Sequence, residues 1–286
     1  MLAEPPPLGT PMLPAGTYDG KVVVVTGGGT GIGRAIAVEF ARLGAGVAVV
    51  SRNAEHRAAG VQAVSAAGGS GFGVAADVRQ PDEIAAAFDS IESELGPIDV
   101  LVNNAAGNFP VPAEDLSYNG WRAVVGIVLD GTFACSSELG QRLIAAHQAG
   151  VILNIGATYG WTGGPGAVHS AAAKAGVMNM TQTLAVEWAT YGIRVNCLIP
   201  GLFPHQDLPA AMRMTRPDGY PAEGRRIPAG RVGQLHELGW AATYMCSPFA
   251  AYLSGHSLVL DGANWLRRGF RMPEYVPVRE QLGKET

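Results

Sequence analysis

Lysine is nearly missing from this chain of 286 residues: only Lys21, Lys174 and Lys284 occur, and arginine supplies the other 17 of its 20 basic residues. Charged residues make up 15% of the chain, aromatics 7%, and the net charge is −4, so no basic stripe is offered to a nucleic acid. Cysteine is as scarce. Cys135, Cys197 and Cys246 stand far apart and odd in number, which argues against a disulfide framework and gives no metal-ligand spacing. No unbroken apolar run reaches the ~18–20 residues of a bilayer span. The Pro-rich lead over residues 1–16 lacks the basic start and apolar core of a signal peptide and the arginines of a mitochondrial presequence. The final Gly283-Lys284-Glu285-Thr286 is not a peroxisomal SKL address, and a reducing cytoplasm is the expected compartment. Hydrophobic residues are plentiful at 48%, too many for a disordered chain.

Short β-branched runs alternate with Ala-rich helical stretches. Strands are expected at Lys21–Thr26, Gly46–Ser51, Gly73–Ala76, Ile98–Asn103, Val151–Ile155, Arg194–Ile199 and Ser257–Leu260. Helices are expected over Gly31–Leu43, Ala54–Ala67, Pro81–Leu95, Ser117–Gln148, Pro165–Thr190 and Gln234–Cys246. This alternation implies an α/β fold, a doubly wound and mostly parallel sheet (Rossmann fold) with its ligand crevice at the strand C-termini. No repeat or linker divides the chain. One domain is expected over residues 17–264, between the lead at 1–16 and a charged tail at 265–286. Residues 202–231 are Pro- and Arg-rich with weak periodicity, too long for an ordinary loop, and read as a segment covering the substrate.

Thr26-Gly27-Gly28-Gly29-Thr30-Gly31-Ile32-Gly33 lies between the first strand and the first helix. Glycines let the backbone turn sharply and approach a pyrophosphate, while the helix N-terminus supplies N–H groups and a positive dipole end. A glycine-rich turn alone is a weak signal. Between strand and helix it points to a dinucleotide cradled by Gly27, Gly29, Thr30, Gly31, Ile32 and Gly33. The second strand ends in Ser51-Arg52-Asn53. An acidic side chain there would bind ribose hydroxyls and repel a 2′-phosphate. Arg52 can instead pair with that phosphate as a charge-assisted fork and Ser51 can donate a hydroxyl, so NADPH is the expected cofactor.

The glycine turn, then Asn103-Asn104-Ala105-Ala106-Gly107, then Lys174 near the start of a long helix, resembles the short-chain dehydrogenase/reductase superfamily from about Lys21 to Gly262. That resemblance implies Asp77 and Val78 beside the adenine, Asn104 and Ala105 beside the adenosine ribose, and Lys174 on the nicotinamide ribose. It also implies Pro200, Gly201, Leu202 and Phe203 beside the nicotinamide, and a homotetramer built through the two long helices. The superfamily's usual tyrosine, four residues before the lysine, is Ser170 here; its usual serine falls at Ala157, next to Thr158, and its usual helix asparagine at Val128. Many relatives also carry a threonine shortly after the Pro-Gly, where this chain reads Leu202-Phe203-Pro204-His205. One branch has this alternative arrangement, the NADPH-dependent 2,4-dienoyl-CoA reductases of the mitochondrial type. The chain is similar to it in Asn103 to Phe109, in Ile127 to Thr132, and in Tyr159 standing fifteen residues before Lys174. The lead Leu13-Pro14 with Gly20-Lys21, and Gly230 to Gly233, are similar as well.

The branch implies hydride transfer to the δ carbon of a 2,4-dienoyl-CoA and protonation at the α carbon, giving a 3-enoyl-CoA in unsaturated fatty acid oxidation. Tyr159 and Asn108 are implied as donors to the thioester oxygen, with Ser170 and Lys174 completing the catalytic set. A phosphate-rich acyl-CoA suits the cluster Arg213, Arg216, Arg225, Arg226 and Arg231. The resemblance favours Arg213, with Arg79, Phe109 and Ser117 as further substrate contacts. Without the resemblance, Tyr159 reads as a core tyrosine, Asn108 as half of a Gly-Asn turn and Ser170 as an ordinary helix residue. His169 is expected to be structural, and Asp130 has no assigned role. Two rival readings stand beside this one: another short-chain reductase acting on a 2-enoyl-CoA or a ketone, and a catalytically silent NADP-binding protein.

Overall fold

The β-branched runs assemble into one sheet in the computed structural model, which describes residues 2–207, 219–267 and 276–283. Its strands are β1 (Val22–Thr26), β2 (Gly46–Val50), β3 (Ser70–Val74), β4 (Ile98–Asn103), β5 (Gly150–Ile155), β6 (Ile193–Pro200) and β7 (Ser257–Leu260), all parallel, in the order β3-β2-β1-β4-β5-β6-β7. Around it lie α1 (Gly31–Arg42), α2 (Ala54–Ala66), α3 (Pro81–Leu95), α4 (Tyr118–Val125), α5 (Gly131–Ala145), α6 (Tyr159–Thr162), α7 (Val168–Trp188), α8 (Gly219–Arg226), α9 (Leu235–Cys246) and α10 (Val278–Gln281). One core layer joins Ile36 and Phe40 of α1 to Leu238 and Met245 of α9, and another joins Phe88 and Ile91 of α3 to Leu139 and Leu184 of α5 and α7. With helices on both faces, β1 is buried throughout, which is why it reads as an unbroken valine run. The winding reverses between β1 and β4, and that reversal opens the crevice.

The third strand begins at Ser70, three residues before the expected Gly73, and ends at Val74. Glycine is a poor strand former in isolation, but Gly71 and Gly73 let α2 lie on β3: a Cβ on either would sit 3.1–3.2 Å from Val61. The helical region expected over Ser117–Gln148 is α4, a π-helical turn over Gly126–Asp130, and α5. The Thr132 hydroxyl donates to the Val128 carbonyl at 2.7 Å beside that turn. A π turn inserts one residue into the ladder, which a 3.6-residue pattern does not register. Taken as one helix, Tyr118–Ala145 is long and apolar enough to cross a membrane (mean hydropathy 1.3), although 56% of that window is buried inside the fold. The expectation drawn from unbroken runs missed it because its apolar residues are interspersed.

The lead is tied down along its length. The Leu2 N–H donates to the Ala229 carbonyl, a His236 ring nitrogen meets the Pro6 carbonyl at 3.0 Å, and Leu13 is buried. In the tail, Trp265 packs on Trp161 with ring centres 5.1 Å apart, and Arg279 pairs with Glu114 and Asp115.

Candidate active site

The glycine turn follows β1 because Gly27 and Gly31 adopt positive φ, +66° and +47°, which side chains disfavour. Thr26 fastens this turn to the end of β4. Its hydroxyl accepts the Asn104 and Ala105 N–H groups, both at 3.0 Å, and the Asn104 amide donates back to the Thr26 and Gly27 carbonyls at 3.0 and 3.2 Å. At Gly33 a Cβ would lie 2.4 Å from both the Asn104 amide nitrogen and the Gly27 carbonyl oxygen, so glycine allows α1 to start against this junction. The outcome is a cleft of about 800 Å³ whose floor is Gly27, Thr30, Gly31, Ile32 and Gly33. Ser51, Arg52, Asp77 and Val78 line one side, and Asn104, Ala105 and Asn108 another. Gly29 is the exception among the expected cradle residues. It packs against α2, where a Cβ would strike the His56 carbonyl, so it serves close packing and does not line the cleft.

Asp77 organises the cleft beyond the end of β3. Its carboxylate accepts from Arg79 Nε at 3.0 Å and from Arg52 Nη1 at 3.3 Å, and the hydrogen bond from Arg79 above all holds its pKa down to about 2. Arg57 donates to the Ser51 and Arg52 carbonyls at 2.7 and 2.9 Å, fixing the backbone from which Arg52 projects. The Arg52 side chain is 58% exposed, so its long bond to Asp77 is weak and exchangeable for another anion.

Across the crevice, α6 rests on α7 because Gly160 has no side chain: a Cβ there would be 2.4 Å from Met178 Cε and 3.0 Å from the Ala175 nitrogen. This approach brings the Tyr159 hydroxyl within 3.1 Å of Ser170 Oγ. Burial pushes the phenol above its ordinary pKa and the Ser170 hydrogen bond pulls it partly back. Tyr159 is therefore a neutral hydroxyl at physiological pH, suited to donating a hydrogen bond and poorly suited to releasing a proton. The Ser170 N–H donates to His169 Nδ1 at 2.8 Å, and the His169 ring meets Phe109 edge to face at 4.6 Å. Burial lowers the His169 pKa, which keeps that ring neutral. The Asn108 side-chain oxygen accepts the Phe109 N–H at 2.9 Å. Contacts thus run from Asn108 through Phe109, His169 and Ser170 to Tyr159, and the Val111 N–H ties the two loops by donating to the Gly166 carbonyl at 2.8 Å. One helical turn past Ser170, Lys174 is buried with its Nζ donating to the Ile155 carbonyl. Burial lowers its pKa to about 8, opposed by its interaction with Cys197.

Residues 27–263 match the family model described as Enoyl-(Acyl carrier protein) reductase. The chain is 41% identical over 248 residues to the probable 2,4-dienoyl-CoA reductase of Bacillus subtilis, named as (2E)-enoyl-CoA-producing; the match covers 86% of this chain and 97% of that protein. It is 39% identical over 249 residues to the peroxisomal 2,4-dienoyl-CoA reductase of Mus musculus, named as (3E)-enoyl-CoA-producing, covering 86% and 84%. Among solved structures, a short chain dehydrogenase from Bacillus anthracis superposes with a TM-score of 0.79 at 43% identity, over 87% of this chain and 98% of that one. The chain belongs to the short-chain dehydrogenase/reductase family.

In this short-chain dehydrogenase/reductase several expected contacts are spent on the fold. Phe203 is buried against Gly233, the Leu202 carbonyl accepts the Gly233 N–H, and the Gly201 N–H donates to the Leu260 carbonyl. Pro200 is the last residue of β6, Gly201, Leu202 and Phe203 follow the strand, and none of the four lines the cleft. The Arg79 side chain is turned onto Asp77, and Ser117 caps α4 by accepting the Gly120 N–H at 3.0 Å. Arg231 pairs with Glu237 at 2.8 Å and Arg226 with Glu223 at 3.2 Å, while Arg225 is exposed. Arg213 and Arg216 lie outside the described residues. Three cleft residues escaped the sequence reading: His56, His205 and Asp207. His205 lies in the stretch after Pro200-Gly201 in which many relatives are expected to carry a threonine. No local pattern announces Asp207, which reaches the cleft only because the chain turns back after β6.

Proposed function

We propose that this chain is an NADPH-dependent reductase of 2,4-dienoyl-CoA that yields a 3-enoyl-CoA. The observation that carries this reading is the Tyr159 hydroxyl, half-buried, neutral and held by Ser170 at the position of the family's usual tyrosine. A ketone reductase must protonate an alkoxide and needs an acid there. A conjugated reduction spreads its charge to a thioester oxygen, for which hydrogen-bond donors suffice.

The residues suit a dinucleotide. The N-terminus of α1 already accommodates an anion, the Asp207 carboxylate on the Gly31 N–H, and both the Gly31 turn and the start of α1 line the cleft. Arg52 and Ser51 suit a 2′-phosphate, Asp77 and Val78 the adenine, Asn104 and Ala105 its ribose, and Lys174 the nicotinamide ribose. When bound, the nicotinamide supplies a hydride. Tyr159 and Asn108 hold the thioester oxygen as the dienolate forms, and Lys174 adds positive charge. The α carbon carries high charge density in that dienolate, and a proton delivered there from water gives the 3-enoyl product. The two relatives differ in the product in their names, so double-bond position is a separate question from reductase activity.

Following NADPH absorbance with 2,4-hexadienoyl-CoA, crotonyl-CoA and acetoacetyl-CoA tests the reading. Turnover of the dienoyl ester above the others is expected, with the product double bond located by proton NMR. Preferential turnover of acetoacetyl-CoA would overturn it. Arg52→Gln is expected to weaken NADPH binding about tenfold and to leave NADH within about twofold, read by nucleotide fluorescence. For the setting we propose a homotetramer in a reducing cytoplasm, acting in unsaturated fatty acid oxidation. Exposed Phe133 on α5 and Val186 on α7 support the assembly, and three buried free thiols support the compartment.

A further inference from the structure

We infer that Asp207 is a resident anion in the pyrophosphate subsite, which the dinucleotide must expel, and that Arg34 then passes from Asp207 to the ligand. This rests on the dinucleotide reading above.

The first N–H groups of a helix have no acceptor within it. α1 carries no acidic residue in its first turn, and the Thr30 side chain makes no capping hydrogen bond. A partner instead comes from 176 residues away, where one Asp207 oxygen accepts the Gly31 N–H at 2.8 Å. The same oxygen accepts from Arg34 Nη2 at 2.9 Å, so a backbone donor and a guanidinium converge on a single carboxylate oxygen. Arg34 is one turn into α1 and also reaches back toward the Gly29 carbonyl at 3.5 Å, which holds its guanidinium over the glycine turn. His205 closes the same corner: its ring carbon Cε1 lies 2.6 Å from where a Gly31 Cβ would stand, and its Nδ1 is buried without a hydrogen-bond partner. Both His205 and Asp207 line the cleft.

Gly31 has one N–H, so a phosphate oxygen and the Asp207 carboxylate cannot both use it, and two anions this close repel. The pyrophosphate carries more charge and meets more of the turn, and it therefore wins. Its affinity is reduced by whatever the internal contact was worth, as for any ligand whose competent state is only partly populated. The Asp207 and Arg34 side chains are 26% and 35% exposed, which limits that worth to a modest factor.

Fluorescence titration of the full chain with NADPH, without acyl substrate, reads the effect. Asp207→Asn keeps the shape and removes the charge; it is expected to lower the Kd about 3- to 10-fold, with a similar gain for inorganic pyrophosphate as competitor. Because the contact is direct, most of the gain should persist at about 0.5 M KCl, where long-range charge effects are screened. Arg34→Gln placed in the Asp207→Asn chain should raise the Kd about tenfold. An Asp207→Asn chain that binds NADPH no better than the parent, or a gain that disappears in salt, would overturn the displacement. An unchanged Kd for the double variant against Asp207→Asn alone would overturn the role of Arg34. A parent chain that binds no dinucleotide would bring down the cofactor reading together with this one.

Discussion

Tyr159→Phe is expected to lower kcat on 2,4-hexadienoyl-CoA by about 10²–10³ while leaving NADPH affinity within about twofold. The variant keeps the ring, and with it the packing of the side chain on Gly164, where a Cβ would lie 3.2 Å from Tyr159 Cβ. What disappears is one oxygen. Its partner Ser170 Oγ then loses a hydrogen bond of a neutral pair, a change of about 0.5–1.5 kcal/mol that does not threaten the fold. The loss in the transition state is larger because a preorganised donor aimed at developing negative charge is worth about 3–4 kcal/mol in a water-poor site. Cofactor binding is spared because the Tyr159 hydroxyl is engaged with Ser170, while the glycine turn, Arg52 and Asn104 that line the cleft are left unchanged. Steady-state kinetics beside a nucleotide titration separate the two effects. A variant with full turnover would make Tyr159 a packing residue, and a variant that lost NADPH affinity and turnover together would place the hydroxyl on the cofactor instead.

The parts of the site that were legible in the sequence are those whose partners are close along the chain. The glycine turn, the strand before it and the helix after it occupy consecutive residues, and Arg52 follows directly from the end of β2. Lys174 stood out as an internal lysine in a chain that otherwise uses arginine. Tyr159 and Ser170 are eleven residues apart with a helix break between them, so no periodicity pairs them, and only the family resemblance singled them out. Asp207 sits 176 residues from Gly31, and a lone carboxylate in a Pro-rich segment carries no local mark of its destination. Gly29 shows a different failure: a glycine needed for a ligand and a glycine needed for a neighbouring helix look the same until the neighbour is placed. The fold was legible wherever branched residues filled both faces of a strand. It was not at β3, where glycines admit α2, nor in the π turn, where Val128 stands in place of the usual asparagine.

Lys174→Met should abolish most activity, about 10²-fold or more in kcat/KM, and yet raise the melting temperature of the nucleotide-free chain at pH 7. The activity loss follows from removing the charge proposed to face the nicotinamide ribose and the developing oxyanion. The stability gain follows from burial. A lysine whose pKa is about 8 in the folded chain, against 10.5 in the open, disfavours folding in its charged form by roughly 3 kcal/mol. Methionine fills similar volume without charge. It leaves the Ile155 carbonyl without the Nζ donor, which returns about 1–2 kcal/mol, and the balance of about 1–2 kcal/mol corresponds to a rise of a few degrees. The sign changes with pH. Below pH 8 both folded and unfolded parent chains carry the proton, so the penalty is full and constant. Between about 8 and 10.5 the unfolded parent binds more protons than the folded one, and the parent gains stability as pH rises while the variant does not. Melting curves at pH 7 and pH 10 should therefore show the variant ahead at the first and its lead lost or reversed at the second. A variant that melts below the parent at pH 7, with a gap that does not change with pH, would mean that Lys174 is a structural hydrogen-bond donor first and a buried charge second.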